Sequence, residues 1–264
     1  MRKNLKGKTI LITGASSGLG GELAKKCAEN GASIILIGRN QDRLAAVVEC
    51  CGTLGAEEVR AYPFDLGEVG SIPALISKVE KEVGAIDALI NNAGFGLFEK
   101  LNYTPNKTIK AMFDVNVIAL MTLSQAVIPS MKKRGSGHII NIASQAGKLA
   151  TPKSSIYSAT KHAVIGFSNS LRMEVADDGI LVTTVNPGPI NTAFFDQADD
   201  SGKYAESVKR WMLDPEAVAT KTVDALFTRR REINLPQWMN IISKMHAVFP
   251  GVVETLGKKG FNQK

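Results

Sequence analysis

Cysteine and aromatic residues are scarce in this chain, and long hydrophobic runs are not evident. Its 264 residues include three cysteines, Cys27, Cys50 and Cys51. An odd count, two of them adjacent and none in CxxC spacing, offers neither a disulfide framework nor a metal site. They read as small buried or half-buried helix residues of a reduced, cytoplasmic compartment. No apolar run of about 18 residues stands out, so no transmembrane segment is expected. The apolar stretch after the basic start, Thr9 to Thr13, is too short for a signal peptide. Aromatic residues make up only 6% of the chain. Nucleic-acid binding wants basic residues on one face with interleaved aromatics. Here 32 Lys+Arg against 25 Asp+Glu give a net charge of +7. The positives cluster at Lys132-Lys133-Arg134, Arg229-Arg230-Arg231 and Lys258-Lys259, near the ends of expected helices. They read as solvated caps favoured by the helix dipole, and no nucleic-acid partner is expected. Linkers, low-complexity tracts and internal repeats are also missing, so one domain over residues 1–264 is expected.

What is present is alternation. Short β-branched runs, Lys8–Thr13, Ser33–Gly38, Val59–Tyr62, Ile86–Asn91, His138–Ala143 and Ile180–Val185, are predicted strands. Most are continuous apolar runs, as parallel strands covered on both faces should be. Helices are predicted between them, roughly Gly18–Asn30, Gln41–Cys51, Val69–Val83, Pro105–Lys133 and Ile156–Asp177. A helix over Pro215–Thr228, a short strand over Glu232–Leu235 and an amphipathic tail over residues 236–264 follow. Strict β-α-β alternation with right-handed crossovers gives an α/β, doubly wound parallel sheet. Ligands then bind beyond the carboxyl ends of the strands.

The residues at those strand ends are the informative ones. The first strand ends in Thr13-Gly14-Ala15-Ser16-Ser17-Gly18-Leu19-Gly20, directly ahead of a helix. Glycines there let backbone amides approach a pyrophosphate over the helix N-terminus. The second strand ends in Gly38-Arg39, where an arginine suits a 2′-phosphate and an acid would suit a free ribose hydroxyl. After the third strand, Asp65 beside Leu66 is either an acceptor for an adenine amino group or a turn aspartate. Asn92, Ala93 and Gly94 after the fourth strand permit close approach of a ligand, or simply cap a turn.

Tyr157 and Lys161 stand four residues apart, on one face of a helix. The same spacing occurs at Tyr103 and Lys107, but Pro105 makes a turn there and no hydroxyl partner precedes it. The second pair follows Ser144, which closes the fifth strand, by 13 residues. Both groups thus reach one crevice. Asn116 lies in an apolar helical stretch, where a buried amide needs a partner. His138, His162 and His246 read as structural or solvated.

Taken together, Thr13–Gly20, Asn91–Gly94, Asn116, Ser144, Tyr157, Lys161 and Pro187-Gly188 make the chain resemble the short-chain dehydrogenase/reductase family, in its branch with TGxxxGxG and YxxxK. The resemblance runs from about Leu5 to Thr192 and more loosely beyond. It implies a single Rossmann-type domain of about seven strands and hydride transfer between nicotinamide and a carbonyl or carbinol carbon. With Arg39, the implied cofactor is NADP(H) in preference to NAD(H). By resemblance, Tyr157 is the general acid or base, and Lys161 with the nicotinamide charge lowers its pKa from near 10. Lys161 also holds the nicotinamide ribose, Ser144 binds the substrate oxygen, and Asn116 fixes a water relaying protons to Lys161. Cofactor contacts are implied at Gly14, Ser16, Ser17, Gly18, Leu19, Gly20, Asp65, Leu66, Asn92, Ala93 and Gly94, and at Pro187, Gly188, Ile190 and Thr192. A homodimer or homotetramer acting on a small carbonyl or alcohol follows from the same likeness. The rival reading is a dinucleotide-binding redox sensor acting through a protein partner; retention of Ser144, Tyr157 and Lys161 argues against it.

The chain departs from members that reduce carrier-linked 3-ketoacyl groups, which end in an apolar strand with paired glycines. A long, weakly structured segment, about residues 191–213, reads as a lid. Its Phe194, Phe195, Trp211 and Met212, with Phe95, Leu97 and Phe98, point to an apolar substrate. The tail stripe Trp238, Ile241, Ile242, Met245 and Phe249 is expected to pack on its own core or a sister subunit, with closing the substrate mouth or touching a membrane surface as the alternatives.

Overall fold

A computed structural model describes residues 3–149, 151–199 and 202–261. Apolar β-branched runs become strands because both faces of a central sheet are covered. The order along the chain begins β1 (Thr9–Thr13), α1 (Gly18–Glu29), β2 (Ser33–Gly38), α2 (Gln41–Thr53), β3 (Glu58–Pro63), α3 (Ile72–Val83) and β4 (Ala88–Asn91). It continues with α4 (Asn106–Phe113), α5 (Ala119–Arg134), β5 (Gly137–Ile142), α6 (Ser155–Glu174) and β6 (Ile180–Pro187). The last part is α7 (Phe194–Ala198), α8 (Lys203–Val208), α9 (Pro215–Asp224), β7 (Glu232–Leu235), α10 (Gln237–Val248) and α11 (Pro250–Phe261).

All pairings are parallel, in the order β3-β2-β1-β4-β5-β6-β7. The chain therefore runs outward through β1, β2 and β3, then returns to lay β4 on the other side of β1. That reversal leaves a crevice at the carboxyl ends of β1 and β4. One core, between the sheet and the side carrying α1 and α9, holds Leu23, Leu36, Ile90 and Val223. The second, under α3, α5 and α6, holds Ile76, Leu89, Val127 and Leu171.

A buried polar chain crosses this second layer. Asn91 donates from Nδ2 to Asn141 Oδ1 at 2.9 Å and to Ser124 Oγ at 3.2 Å, and Asn141 donates to Ser168 Oγ at 2.9 Å. Asn91 and Asn141 are register partners on β4 and β5. These bonds tie both strands to α5 and α6, the helix that carries Tyr157.

Three expectations need correction. The segment Asn106–Arg134 is one long helical run containing an 18-residue window of mean hydropathy 1.6, so one helix is long and apolar enough to cross a membrane. Its Leu123, Val127 and Met131 are buried against the sheet, which explains the apolar composition. The segment also changes pitch: Asp114–Ile118 is a π-helical stretch between α4 and α5. The lid is more structured than expected, with α7, α8 and a 3₁₀ turn at Lys209–Trp211; residues 200 and 201 lie outside the described residues. Finally, the tail forms two helices, and Trp238, Ile241, Met245 and Phe249 stay exposed instead of packing on the core. Ile242 of that stripe is half-buried; residues 262–264 lie outside the described residues.

The remaining readings by type are straightforward. Cys27 and Cys51 are buried, Cys50 is half-buried, and all three are free thiols. Lys132, Lys133 and Arg134 occupy the last turn of α5. His138 is buried between Thr183 Oγ1 and the Phe227 amide, and burial pushes its pKa down to about 3.

Candidate active site

The carboxyl ends of the central strands open into a cleft of about 1250 Å³. Every residue predicted for catalysis or cofactor binding lines it except Asn116; of the apolar residues expected near a substrate, Phe95, Phe98, Phe194 and Phe195 line it and Leu97, Trp211 and Met212 do not.

At one end lies the β1–α1 turn. Gly14 has a positive φ of +64°, and a side chain on Gly20 would collide with the Gly14 carbonyl oxygen. Glycine is thus required where helix and turn meet. Thr13 Oγ1 accepts from the amides of Asn92 and Ala93, each at 3.0 Å. Asn92 Nδ2 donates to the carbonyls of Thr13 at 3.0 Å and Gly14 at 3.3 Å. The side chain of Asn92 therefore braces the turn, leaving its backbone and Ala93 to face the cleft. Ser17 makes no side-chain cap at the start of α1. The first-turn amides of Gly18, Leu19 and Gly20 are the orphan donors of that helix start, suited to an anion.

Arg39 is exposed at the end of β2, on the cleft. Arg43, which the sequence reading missed, lines the cleft beside it. Asn40 caps α2 by accepting from the Arg43 amide at 2.8 Å, which places the two arginines about one helical turn apart. Neither forms an ion pair among the described residues. The signal was available as Arg39-Asn-Gln-Asp-Arg43, an arginine on each side of a cap. Asp65 forms a turn, its Oδ1 accepting from the Gly67 amide at 2.9 Å, and the residue also lines the cleft. A turn of glycines, an uncapped helix start and two unpaired arginines fit an anionic dinucleotide with an extra phosphate.

At the other end, the first turns of α6 carry Tyr157 and Lys161, both buried. Lys161 Nζ donates to the Ile142 carbonyl at 2.9 Å and lies 5.7 Å from the centre of the Tyr157 ring. Burial lowers its pKa to about 8. Burial also dominates at Tyr157 and pushes the phenol up to about 12, a hydrogen bond with Ser144 pulling the other way and Tyr204 adding to the rise. Within the chain alone, Lys161 therefore does not lower the phenol pKa, because its ammonium is directed to a backbone carbonyl and the phenol is enclosed.

Ser144, two residues past β5, accepts from the Ala146 amide at 3.0 Å. Its neighbour Gln145, also missed from sequence, is buried and donates from Nε2 to the Asn186 carbonyl at 2.8 Å. Gln145 thereby ties the Ser144 turn to the end of β6. Asn116 lies behind the cleft on the π-helical stretch. Its Oδ1 accepts from the Phe95 amide at 3.0 Å, while Nδ2 donates to the Phe95 carbonyl at 2.8 Å and Thr160 Oγ1 at 3.2 Å. A side-chain carbon on Gly94 would sit 3.1 Å from Asn116 Oδ1 and 3.5 Å from Lys161 Nζ, so glycine lets the backbone pass close to both groups.

Aromatic rings close the space over Tyr157. Phe98 lies edge-on to Tyr157 at 5.9 Å and to Tyr204 at 4.9 Å, and Phe194 sits 5.7 Å from Tyr157. The Phe98 amide donates to the Ala198 carbonyl at 2.7 Å, joining the segment after β4 to α7. The lid is stitched at its base, where Leu213 N donates to Pro189 O at 2.8 Å and Asn191 N to Leu213 O at 3.0 Å. Thr192 packs against Gly18, and Pro187, Gly188 and Ile190 complete the wall.

Comparison with known proteins agrees with this geometry. The ketoacyl reductase HetN of Nostoc sp. is 34% identical over 235 residues, covering 88% of this chain and 80% of that protein. Among solved structures, a short-chain dehydrogenase from Streptomyces avermitilis superimposes with a TM-score of 0.81 at 27% identity, covering 96% of each chain. A short-chain dehydrogenase from Sphingobium yanoikuyae in complex with NADPH gives 0.80 at 27% identity, covering 92% of this chain and 95% of that one. Residues 8–202 match the family described as short chain dehydrogenase, and the chain belongs to that family of oxidoreductases.

Proposed function

We propose that the protein is an NADP(H)-dependent carbonyl reductase or alcohol dehydrogenase acting on an apolar substrate. The observation that carries this reading is one continuous cleft with Arg39 and Arg43 at one end and Ser144, Tyr157 and Lys161 at the other. The nicotinamide cofactor, when bound, supplies or accepts the hydride. Gly14, Gly18, Leu19 and Gly20 would hold its pyrophosphate and the two arginines its 2′-phosphate.

The protein's own groups do the rest. With its pKa near 12, Tyr157 holds its proton at neutral pH. It is thus ready to protonate the oxygen of a carbonyl being reduced, the role of a general acid. Ser144, hydrogen-bonded to Tyr157, steadies negative charge as it develops on that oxygen. Lys161, 5.7 Å from the centre of the Tyr157 ring, would hold the nicotinamide ribose beside the phenol when the cofactor is bound. Asn116 fixes the Gly94–Phe95 segment beside Lys161. Phe98, Phe194 and Tyr204 exclude water and offer ring faces to an apolar substrate. In the same reading the protein works in the cytoplasm as a homodimer or homotetramer.

NADPH consumption against a panel of apolar ketones tests the assignment. Tyr157→Phe should lower turnover by roughly 10³-fold with NADPH affinity retained; near-normal turnover in that variant would sink the proposal. A wild-type protein that binds NADPH and reduces no carbonyl would favour the sensor instead.

A further inference from the structure

Helices α10 and α11 pack on each other, and α10 packs on β7. Their inner side, including Met239, Ile242 and Val253, lines the cleft. Their outer side has no partner among the described residues. Ile241 is 62% exposed, Met245 50%, Val248 66% and Phe249 61%. Positions 241, 245 and 248 follow one helical stripe, and Val252, 54% exposed, extends the apolar surface onto α11. Single exposed apolar side chains are ordinary, but a cluster on one face marks an interaction surface.

The chemistry around this face selects its occupant. Trp238 begins it, with its ring 5.5 Å from that of Trp211, and Arg210 lies over Trp211 at 4.9 Å. From Gln237 to Lys264 the sequence carries four lysines, Lys244, Lys258, Lys259 and Lys264, against the single acid Glu254. Trp238 at the start of the apolar helical stripe, with the exposed Lys244 within it, matches a helix lying in a bilayer interface with its ring at headgroup depth. A second copy would bring the same excess of positive charge to the contact, whereas anionic headgroups neutralise it. We infer that the outer face of α10 and α11 docks on an anionic lipid surface. Trp238 and Met245 belong both to this face and to the cleft wall. An apolar substrate dissolved in the bilayer therefore meets the cleft at the docked edge, a role that rests on the reductase reading, although docking itself does not.

Flotation of the full-length chain with lipid vesicles tests the inference. The protein should float with phosphatidylcholine vesicles containing phosphatidylglycerol, be released by raised salt, and stay behind with phosphatidylcholine alone. The double substitution Ile241→Glu and Val248→Glu should cut flotation by about tenfold or more, because two charges then face the acyl boundary. Lys244→Gln should weaken it by about fivefold, the share of one cation near an anionic surface. Ile241 and Val248 lie outside the cleft wall, so the double variant should still bind NADPH. Absence of flotation with both vesicle types would overturn the inference. So would a dimer in light scattering that the double substitution converts to monomer, since a second copy would then own the face. Flotation needs neither cofactor nor turnover, so failure of the reductase assignment registers separately.

Discussion

The two ends of the cleft are built in different ways. At the β1–α1 turn, backbone and short side chains do the work: Thr13, Asn92 and a glycine that admits no side-chain carbon are locked together by hydrogen bonds. At the lid and C-terminal helices, large side chains do the work, as rings stacked over Tyr157 and an apolar face left uncovered. The first end has little room to vary without failing. The second can change side chains while keeping its helices, as expected where a shared reaction meets a particular substrate.

Substitutions at the two ends should therefore differ in kind. The largest effect is expected at the rigid end. Gly20→Val should weaken NADPH binding by roughly 100-fold, about 3 kcal/mol of overpacking in a turn that cannot move; calorimetric titration reads it, and circular dichroism checks the fold. Retained affinity would show that the turn is softer than its bonding indicates.

Lys161→Met probes the boundary between the two ends. An ammonium held near 8 in the folded chain and near 10.5 when unfolded burdens the fold below pH 8. Between those values the unfolded chain keeps a proton that the folded one has released, so native stability rises with pH across that window. The shift corresponds to at most about 3 kcal/mol, and about 1 kcal/mol returns with the lost bond to Ile142. Lys161→Met should thus be the more stable protein by about 2 kcal/mol at pH 7 in urea denaturation, an advantage that fades toward pH 10. Its reductase activity should be lost at the same time.

A smaller change is expected at the phosphate end. Arg39→Asp should shift preference from NADPH toward NADH by roughly 30-fold in kcat/KM, the worth of one charge-assisted bond, with Arg43 retaining part of the discrimination. Equal use of both cofactors by the unsubstituted protein would refute the 2′-phosphate assignment. The smallest effect belongs to the soft end. Phe98→Ala removes one ring from the stack and should raise KM for an apolar ketone by about fivefold, near 1 kcal/mol, with NADPH affinity unchanged. A larger fall in kcat than rise in KM would instead give Phe98 a part in positioning Tyr157.

Much of the rigid end was legible beforehand. Parallel strands buried on both faces must be continuous apolar runs, so β2 and β7 were located to the residue and the others within two residues at most ends. Tyr157 and Lys161 were legible because four residues is nearly one helical turn. Gln145 and the bracing role of Asn92 were not, because each acts through a partner distant in sequence. The apolar tail stripe was legible as helical, but its exposure in the single chain was not. Periodicity reports that a face exists; it cannot report what covers it.

By itself the sequence determined the alternation of strands and helices, the glycines at the first turn and the spacing that puts Tyr157 above Lys161. These follow from local geometry, from periods of 2 and 3.6 residues and from the positive φ that glycine tolerates. Tertiary structure alone decided that burial would lift Tyr157 to about 12 and hold Lys161 near 8. It also brought Phe98 and Tyr204 together over the phenol and turned the outer side of α10 to solvent. Burial and long-range contact depend on how elements pack, and residues far apart in the chain become neighbours only after the sheet has formed.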